Sequence, residues 1–368
     1  MKRLIARLVV FILTSLLFLE LVFRFIIPAS ELPASMRGEY GFNLFDPGYS
    51  RSGCYSEGII PCSRTRWVIN DDGWNSLFQY EPRENRDRPL IAVFGDSAIE
   101  GFLCDVEEHI DTWLYCILQG SFDVYAFGRH NQSLVEMALL MEQVDSLYRP
   151  DVFVIITSTP ALRNSLWPAS LAEYHTLMPL PLWGTFTTVT PMLWQSSRFA
   201  RTAMRSSLVR YLALNRNLYL FPLKEIEIPA VHTAPLKNIE IQQLRPVAGR
   251  YLLTRMSNGL GDRRLLIVTD NSAIRHQLYG QESISDERNI ITSDQVLLSE
   301  LCSKYHNIEY LDSFIDIRSD FDTTRSYYDA SDARHLNGYG NYVVASSIAR
   351  RLEVSWTLRR ALLDWEAR

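Results

Sequence analysis

The chain has 368 residues, 47% hydrophobic and 21% charged, with 37 Lys and Arg against 42 Asp and Glu for a formal net charge of −5. That mildly acidic balance gives no footing for a nucleic-acid partner, and the seven histidines are scattered without paired ligand spacing, so no metal site is read from them. No internal repeat or low-complexity tract interrupts the sequence, whose length suffices for one large α/β domain or a domain with an insertion.

At the N-terminus Lys2, Arg3 and Arg7 precede Leu8 to Ile27, a run rich in Leu, Val, Ile and Phe. As a helix this run spans about 30 Å. The basic residues keep the first positions cytoplasmic and export the rest. Glu20 and Arg24 lie four apart on one helical face and can pair. A cleavable signal peptide is the rival reading, since Ala29 and Ser30 are small. The absence of an Ala-x-Ala site and the length of the apolar run favour an uncleaved anchor over residues 1–28.

Residues 29–87 read as an irregular arm joining the anchor to the domain. Within it Cys54 and Cys62 flank a short loop containing Gly58 and Pro61, which can close as a disulfide. Cys104 and Cys116 can form a second bond only if Cys104 lies outside the helix that holds Cys116, because a continuous helix separates them by about 18 Å. Cys302 is left as a buried apolar thiol, and free thiols throughout remain an open alternative.

From residue 88 onward, short apolar strands alternate with helix-length segments. Strands are predicted at Leu90 to Phe94, Phe122 to Ala126, Val152 to Ile156, Leu265 to Val268 and Ile308 to Leu311, several too uniformly apolar to have a solvent face. Helices are predicted at Asp111 to Gln119, Ser133 to Leu147, Lys237 to Ser257, Asp294 to Tyr305 and Gly338 to Leu352, with Ser133 and Asp294 as N-caps. This alternation implies a mostly parallel sheet with helices on both faces, whose sites sit at the carboxyl ends of strands. Residues 161–235 break the pattern. With Trp167, Trp183, Trp194 and several prolines they read as a cap insertion. Glu173 is the only acidic residue from Ala161 to Leu223, against Arg198, Arg201, Arg205, Arg210 and Arg216, so the cap carries positive charge suited to anionic head groups or an acidic glycan. A solvated helix face with ordinary buried tryptophans explains the same residues.

Three residues carry the chemistry. The run Arg88 to Ser97 is a buried strand that breaks into Gly95, Asp96 and Ser97, and Asp332 and His335 sit three apart before the last helix. Serine is a weak nucleophile that needs a base, and the base needs a partner to fix its tautomer. Ser97, His335 and Asp332 fill those roles. Gly95 relieves the turn, and Asp96 is assigned to hold it through hydrogen bonds.

With Ile69 to Trp74, Phe94 to Gly101 and Asp332 to Asn341, the arrangement resembles the SGNH/GDSL hydrolase family, especially membrane-anchored bacterial members. The resemblance spans most of the chain. It implies a flavodoxin-like three-layer αβα sandwich over residues 88–368, and the N-terminal anchor then puts the catalytic domain on the exported side of the bacterial cytoplasmic membrane. It also implies cofactor-free esterase, lipase or carbohydrate O-acyl chemistry, in which the N–H of Ser97 and a second donor form the oxyanion hole. Asn131 stands where the family's glycine falls in an ungapped alignment, asparagine being the non-glycine residue best able to turn left-handed, and Gly128 is the fallback. After the third strand the expected glycine and asparagine are absent, leaving Thr157, Ser158, Thr159 or Asn164 as substitutes. Loss of one donor costs on the order of 3 kcal/mol. The favoured expectation is hydrolysis of an O-acyl ester on an envelope glycan, a lipid ester being the other substrate class. Acyl transfer by the same triad, or an envelope-binding protein that has lost turnover, are the alternatives.

Overall fold

The computed structural model describes residues 2–33, 35–37, 42–47, 52–55, 64–130, 132–157, 160–166, 176–179, 186–189, 202–216, 238–270, 275–279, 286–330 and 335–354. Helix α1 (Lys2–Leu21) continues through a π-helical turn, Val22–Ile26, and together they are long and apolar enough to cross a membrane. Residues 29–87 hold more regular structure than their sequence pattern suggests. Strand β1 (Ser35–Arg37) pairs antiparallel with β2 (Asn43–Phe45), and β3 (Ser52–Tyr55) with β4 (Thr65–Val68).

The domain is built on five parallel strands: β5 (Leu90–Gly95), β6 (Asp123–Gly128), β7 (Val152–Thr157), β10 (Arg264–Thr269) and β11 (Ile308–Asp312). Between β7 and β10 lies a short antiparallel pair, β8 (Thr176–Pro179) with β9 (Phe186–Val189). Spatial order is β6-β5-β7-β10-β11, the doubly wound order in which the chain reverses direction between β5 and β7. Every residue of β5 and β7 is buried, as their unbroken apolar runs require of strands covered on both faces.

Alternate residues feed two cores. Leu90, Ala92, Phe94, Phe127 and Phe153 pack with α4 (Leu134–Tyr148), α7 (Asn238–Leu260) and α8 (Asp286–Cys302). Ile91, Val93, Val124, Val154 and Ile156 pack with α3 (Ile110–Ile117), α9 (Phe314–Thr324) and α10 (Gly338–Val354). The result is a three-layer αβα sandwich. At the β6 edge the Tyr80 hydroxyl donates to the Ala126 carbonyl at 2.6 Å and accepts the Ala126 N–H at 2.9 Å, so residues from the arm occupy ladder positions that a further strand would otherwise use.

Ser133 accepts the Glu136 N–H and caps α4 as its sequence position predicts. Asp294 does not start a helix. It lies inside α8 and accepts the Leu162 and Arg163 N–H groups while paired with Arg245 at 3.0 Å, so it caps the four-residue helix α5 (Ala161–Asn164) in place of its own. Helix α7 carries Pro246 in its interior. Cys104 lies outside α3 yet stays a free thiol, as do Cys116 and Cys302, which corrects the second possible disulfide. Its sulfur is buried near the Gly101 and Glu108 carbonyls and receives the Asn341 amide. Cys62 lies outside the described residues.

Gly95 and Gly128 are register partners on adjacent strands. A Cβ on Gly95 would come 2.4 Å from the Ile99 side chain and 2.7 Å from the Ile156 carbonyl, and one on Gly128 would come 2.4 Å from both Ile99 C and Glu100 N. The two positions form a side-chain-free seat for α2 (Ser97–Glu100). Gly128→Ala therefore forces backbone apart and should lower stability by about 1–3 kcal/mol. Urea unfolding in detergent would register this as a lower midpoint at unchanged slope, and an unchanged midpoint would contradict the seat.

Candidate active site

Ser97 is the first residue of α2, at the carboxyl end of β5 beside the point where strand order reverses. Fully buried Asp96 caps the helix by accepting the Ala98 N–H at 3.0 Å, and Gly101 ends it in the left-handed conformation with φ +76°. Four residues thus turn the chain from strand to helix and leave the Ser97 side chain partly exposed. His335, also partly exposed, places its Nε2 2.7 Å from the Ser97 Oγ. With Nδ1 carrying the ring proton, Nε2 is the acceptor of the serine hydroxyl.

The loop bearing His335 is held on both flanks. Asp329 and Leu336 form an antiparallel bridge, the Ala330 N–H donates to the His335 carbonyl at 2.8 Å, and the Asn337 N–H donates to the Tyr328 carbonyl at 2.7 Å. The Asn337 side chain accepts the Gly340 N–H, opening α10. Below the loop, Arg275 is wholly buried between two carboxylates, with Nε 2.8 Å from Asp329 Oδ1 and a terminal nitrogen 2.7 Å from Asp270 Oδ2. Asp270 directly follows β10, so this guanidinium ties the sheet to the segment that precedes His335. The neighbouring carboxylates hold the Arg275 pKa above its ordinary value against the opposing effect of burial.

Helix α2 is braced from the other side by residues whose role is not visible in sequence. Asn75 accepts the Val68 N–H and donates to the Glu100 carbonyl at 2.8 Å. Asn70 accepts the Asp72 and Trp74 N–H groups, so the Ile69–Trp74 motif is a turn that aims Asn75 at α2. Gln132, with its amide oriented by its surroundings, donates to the Gly95 carbonyl at 2.6 Å. Arg129 lies 3.6 Å over the Phe45 ring and 3.7 Å from the Glu100 carboxylate.

His109 closes the back of the site. Its Nε2 donates to the Gly101 carbonyl at 2.9 Å, and its ring occupies the place where a Gly101 Cβ would fall. Burial lowers its pKa to about 4. Asp111, 4.0 Å away, is pushed up to about 7 by burial, opposed by the Ser76 hydroxyl. A neutral imidazole makes this contact no ion pair at neutral pH.

Of the residues assigned from sequence, Ser97, Gly95, Asp96, Gly128 and His335 meet in one region. Gly128 ends β6, where an added Cβ would meet the Ile99–Glu100 peptide. Asp332 and Asn131 lie outside the described residues, as do Ser158 and Thr159. Thr157 is fully buried at the end of β7, and Asn164 ends α5.

No family model and no curated protein matches the chain. Among solved structures it is similar to a carbohydrate acetylesterase family member from Sinorhizobium meliloti (11% identity, 72% of this chain and 97% of that one, TM-score 0.34). It is similar also to a lipase/acylhydrolase from Enterococcus faecalis (11%, 72% and 95%, TM-score 0.37). A third is a catalytic mutant of an acetylxylan esterase from Geobacillus stearothermophilus (11%, 73% and 95%, TM-score 0.39).

Two outcomes follow from the buried charges. Removing one member of a buried ion network leaves the others uncompensated, so Arg275→Ala should lose about 3–5 kcal/mol of stability in urea unfolding, with Asp270→Asn in the same background recovering part of it. The folded-state pKa of Asp111 lies above its ordinary 3.8, so its protonated form stabilises the fold at low pH and that contribution disappears as pH rises from about 4 to about 7. Asp111→Asn should therefore gain on the wild type across that window. A melting-temperature difference that is equal at pH 4 and pH 8 would contradict the assignment.

Proposed function

We propose that the chain is a serine ester hydrolase of the SGNH/GDSL type, held in the bacterial cytoplasmic membrane by its N-terminal helix with the catalytic domain exported. The observation that carries this reading is the 2.7 Å contact between Ser97 Oγ and His335 Nε2, made at the carboxyl edge of a parallel sheet. In the proposed reaction Ser97 Oγ bonds to the ester carbonyl carbon as its proton passes to His335. The resulting anion is met by the Ser97 N–H, by the positive end of α2, and by a donor at Asn131 or Gly128. Collapse breaks the bond to the leaving alcohol, which takes the proton from His335. Water then repeats the sequence on the acyl-enzyme, and Asp332 orients the imidazole throughout.

The substrate proposed is an O-acyl ester of an envelope glycan, supported by the resemblance and by an anchor that holds the domain beside the envelope. Residues 88–368 form the hydrolase-like domain in this reading, and residues 161–235 its cap insertion. No step calls for a cofactor.

A fluorophosphonate probe should label Ser97, and Ser97→Ala should both abolish labelling and lower turnover of a generic acetyl ester at least about a thousandfold. Equal rates for wild type and Ser97→Ala would mean an envelope-binding protein. Acylated product appearing when glycan acceptors are added would redirect the reading to acyl transfer. Protease added outside intact spheroplasts should digest the region after Pro28, and full protection would overturn the exported topology.

A further inference from the structure

Glu20 is a carboxylate in an otherwise apolar stretch of the anchor, and the fold gives it four donors. Its oxygens accept the Ser206 hydroxyl at 2.7 Å, the Ser207 and Leu208 N–H groups at 3.0 Å each, and the Arg24 guanidinium at 3.0 Å. One turn further on, the Phe23 ring stacks on Tyr211 with centroids 3.9 Å apart, and beyond it the Ser30 N–H donates to the Asn215 side chain at 3.0 Å. The partner in all three contacts is one segment of the insertion, in which α6 (Ser207–Arg210) runs into a π-helical turn, Tyr211–Asn215.

Depth follows from the helix rise. Lys2 and Glu20 are about 27 Å apart along the axis at 1.5 Å per residue, against a hydrocarbon core of about 30 Å. With Lys2 at the cytoplasmic edge, Glu20 reaches the opposite edge from within, where an unmatched charge is expelled. The groups that match it must stand at the same depth.

We infer that residues 206–216 are a second membrane contact, a helical turn seated at the exported head-group boundary and clamped to the anchor by Glu20, with anionic phospholipid as its partner. This rests on the reading of α1 as an uncleaved anchor. The residue types fit such a seat: Leu208, Val209, Leu212 and Leu214 are only partly buried, Arg205 and Arg216 are exposed at the two ends, and no acidic residue occurs from 202 to 216. Apolar side chains between flanking arginines suit the boundary between acyl chains and phosphates. The insertion is then fastened to the bilayer, and the anchor serves as a structural member of the fold.

The test uses the full chain in vesicles of phosphatidylethanolamine and phosphatidylglycerol, with a photo-crosslinking amino acid at Leu212 or, as control, at Leu77, an exposed residue of the arm. Phospholipid adducts detected by mass spectrometry should be severalfold more abundant at Leu212, with phosphatidylglycerol enriched among them. Glu20→Leu should reduce the Leu212 adducts severalfold while the chain stays in the membrane through an alkaline carbonate wash. A full-length, carbonate-resistant protein with equal adducts at the two positions, or with adducts unaffected by Glu20→Leu, overturns the clamp alone. A mature chain whose intact mass lacks the first segment overturns the clamp and the anchor together.

Discussion

The contact between Ser97 and His335 joins residues 238 positions apart in the chain, and its geometry depends on how closely a four-residue helix can approach two strand ends. Side chains at Gly95 or Gly128 would lift α2 away from the sheet and move the serine with it. Because those glycines face each other across the β5–β6 ladder, strand pairing itself builds the platform. Strand order reverses at the same edge, since β6 and β7 flank β5 on opposite sides.

Around that contact the molecule places groups that order the polypeptide without touching the serine or the imidazole. Arg275 between Asp270 and Asp329 links the end of β10 to the His335 loop, while Asn75, Gln132 and His109 take up the carbonyls of Glu100, Gly95 and Gly101 around α2. Buried polar groups are costly unless satisfied, so each of these contacts has few alternative geometries. Ser97 and His335, carried on separate segments, gain their alignment from such restriction.

The sheet strands were legible from short apolar runs, unbroken in β5 and β7, which are covered on both faces, and the boundaries read from sequence fall within two residues of those observed. Ser133 was legible as a cap because its side chain and the N–H it accepts, that of Glu136, lie three residues apart. Asp294 departs from its sequence reading for the converse reason: an aspartate ahead of an apolar run looks like a local cap, whereas the N–H groups it accepts belong to Leu162 and Arg163, brought near by the packing of α8 on α5. The short antiparallel pairs in residues 29–87 escaped notice because three- and four-residue strands carry almost no periodic signal. Cys104 and Cys116 illustrate a different limit, since spacing permits a bond that the observed placement does not make.

Sequence alone determined the layer architecture, the apolar N-terminal helix, and the serine and histidine as candidate partners, all of which follow from local residue type and period. Tertiary structure decided that those two side chains meet, that paired glycines seat α2, that Arg275 binds the histidine loop to the sheet, and that Glu20 grips residues 206–208. Each of these is a contact between segments distant in the chain, and no local pattern of residues specifies which distant groups will be neighbours once the apolar faces are buried.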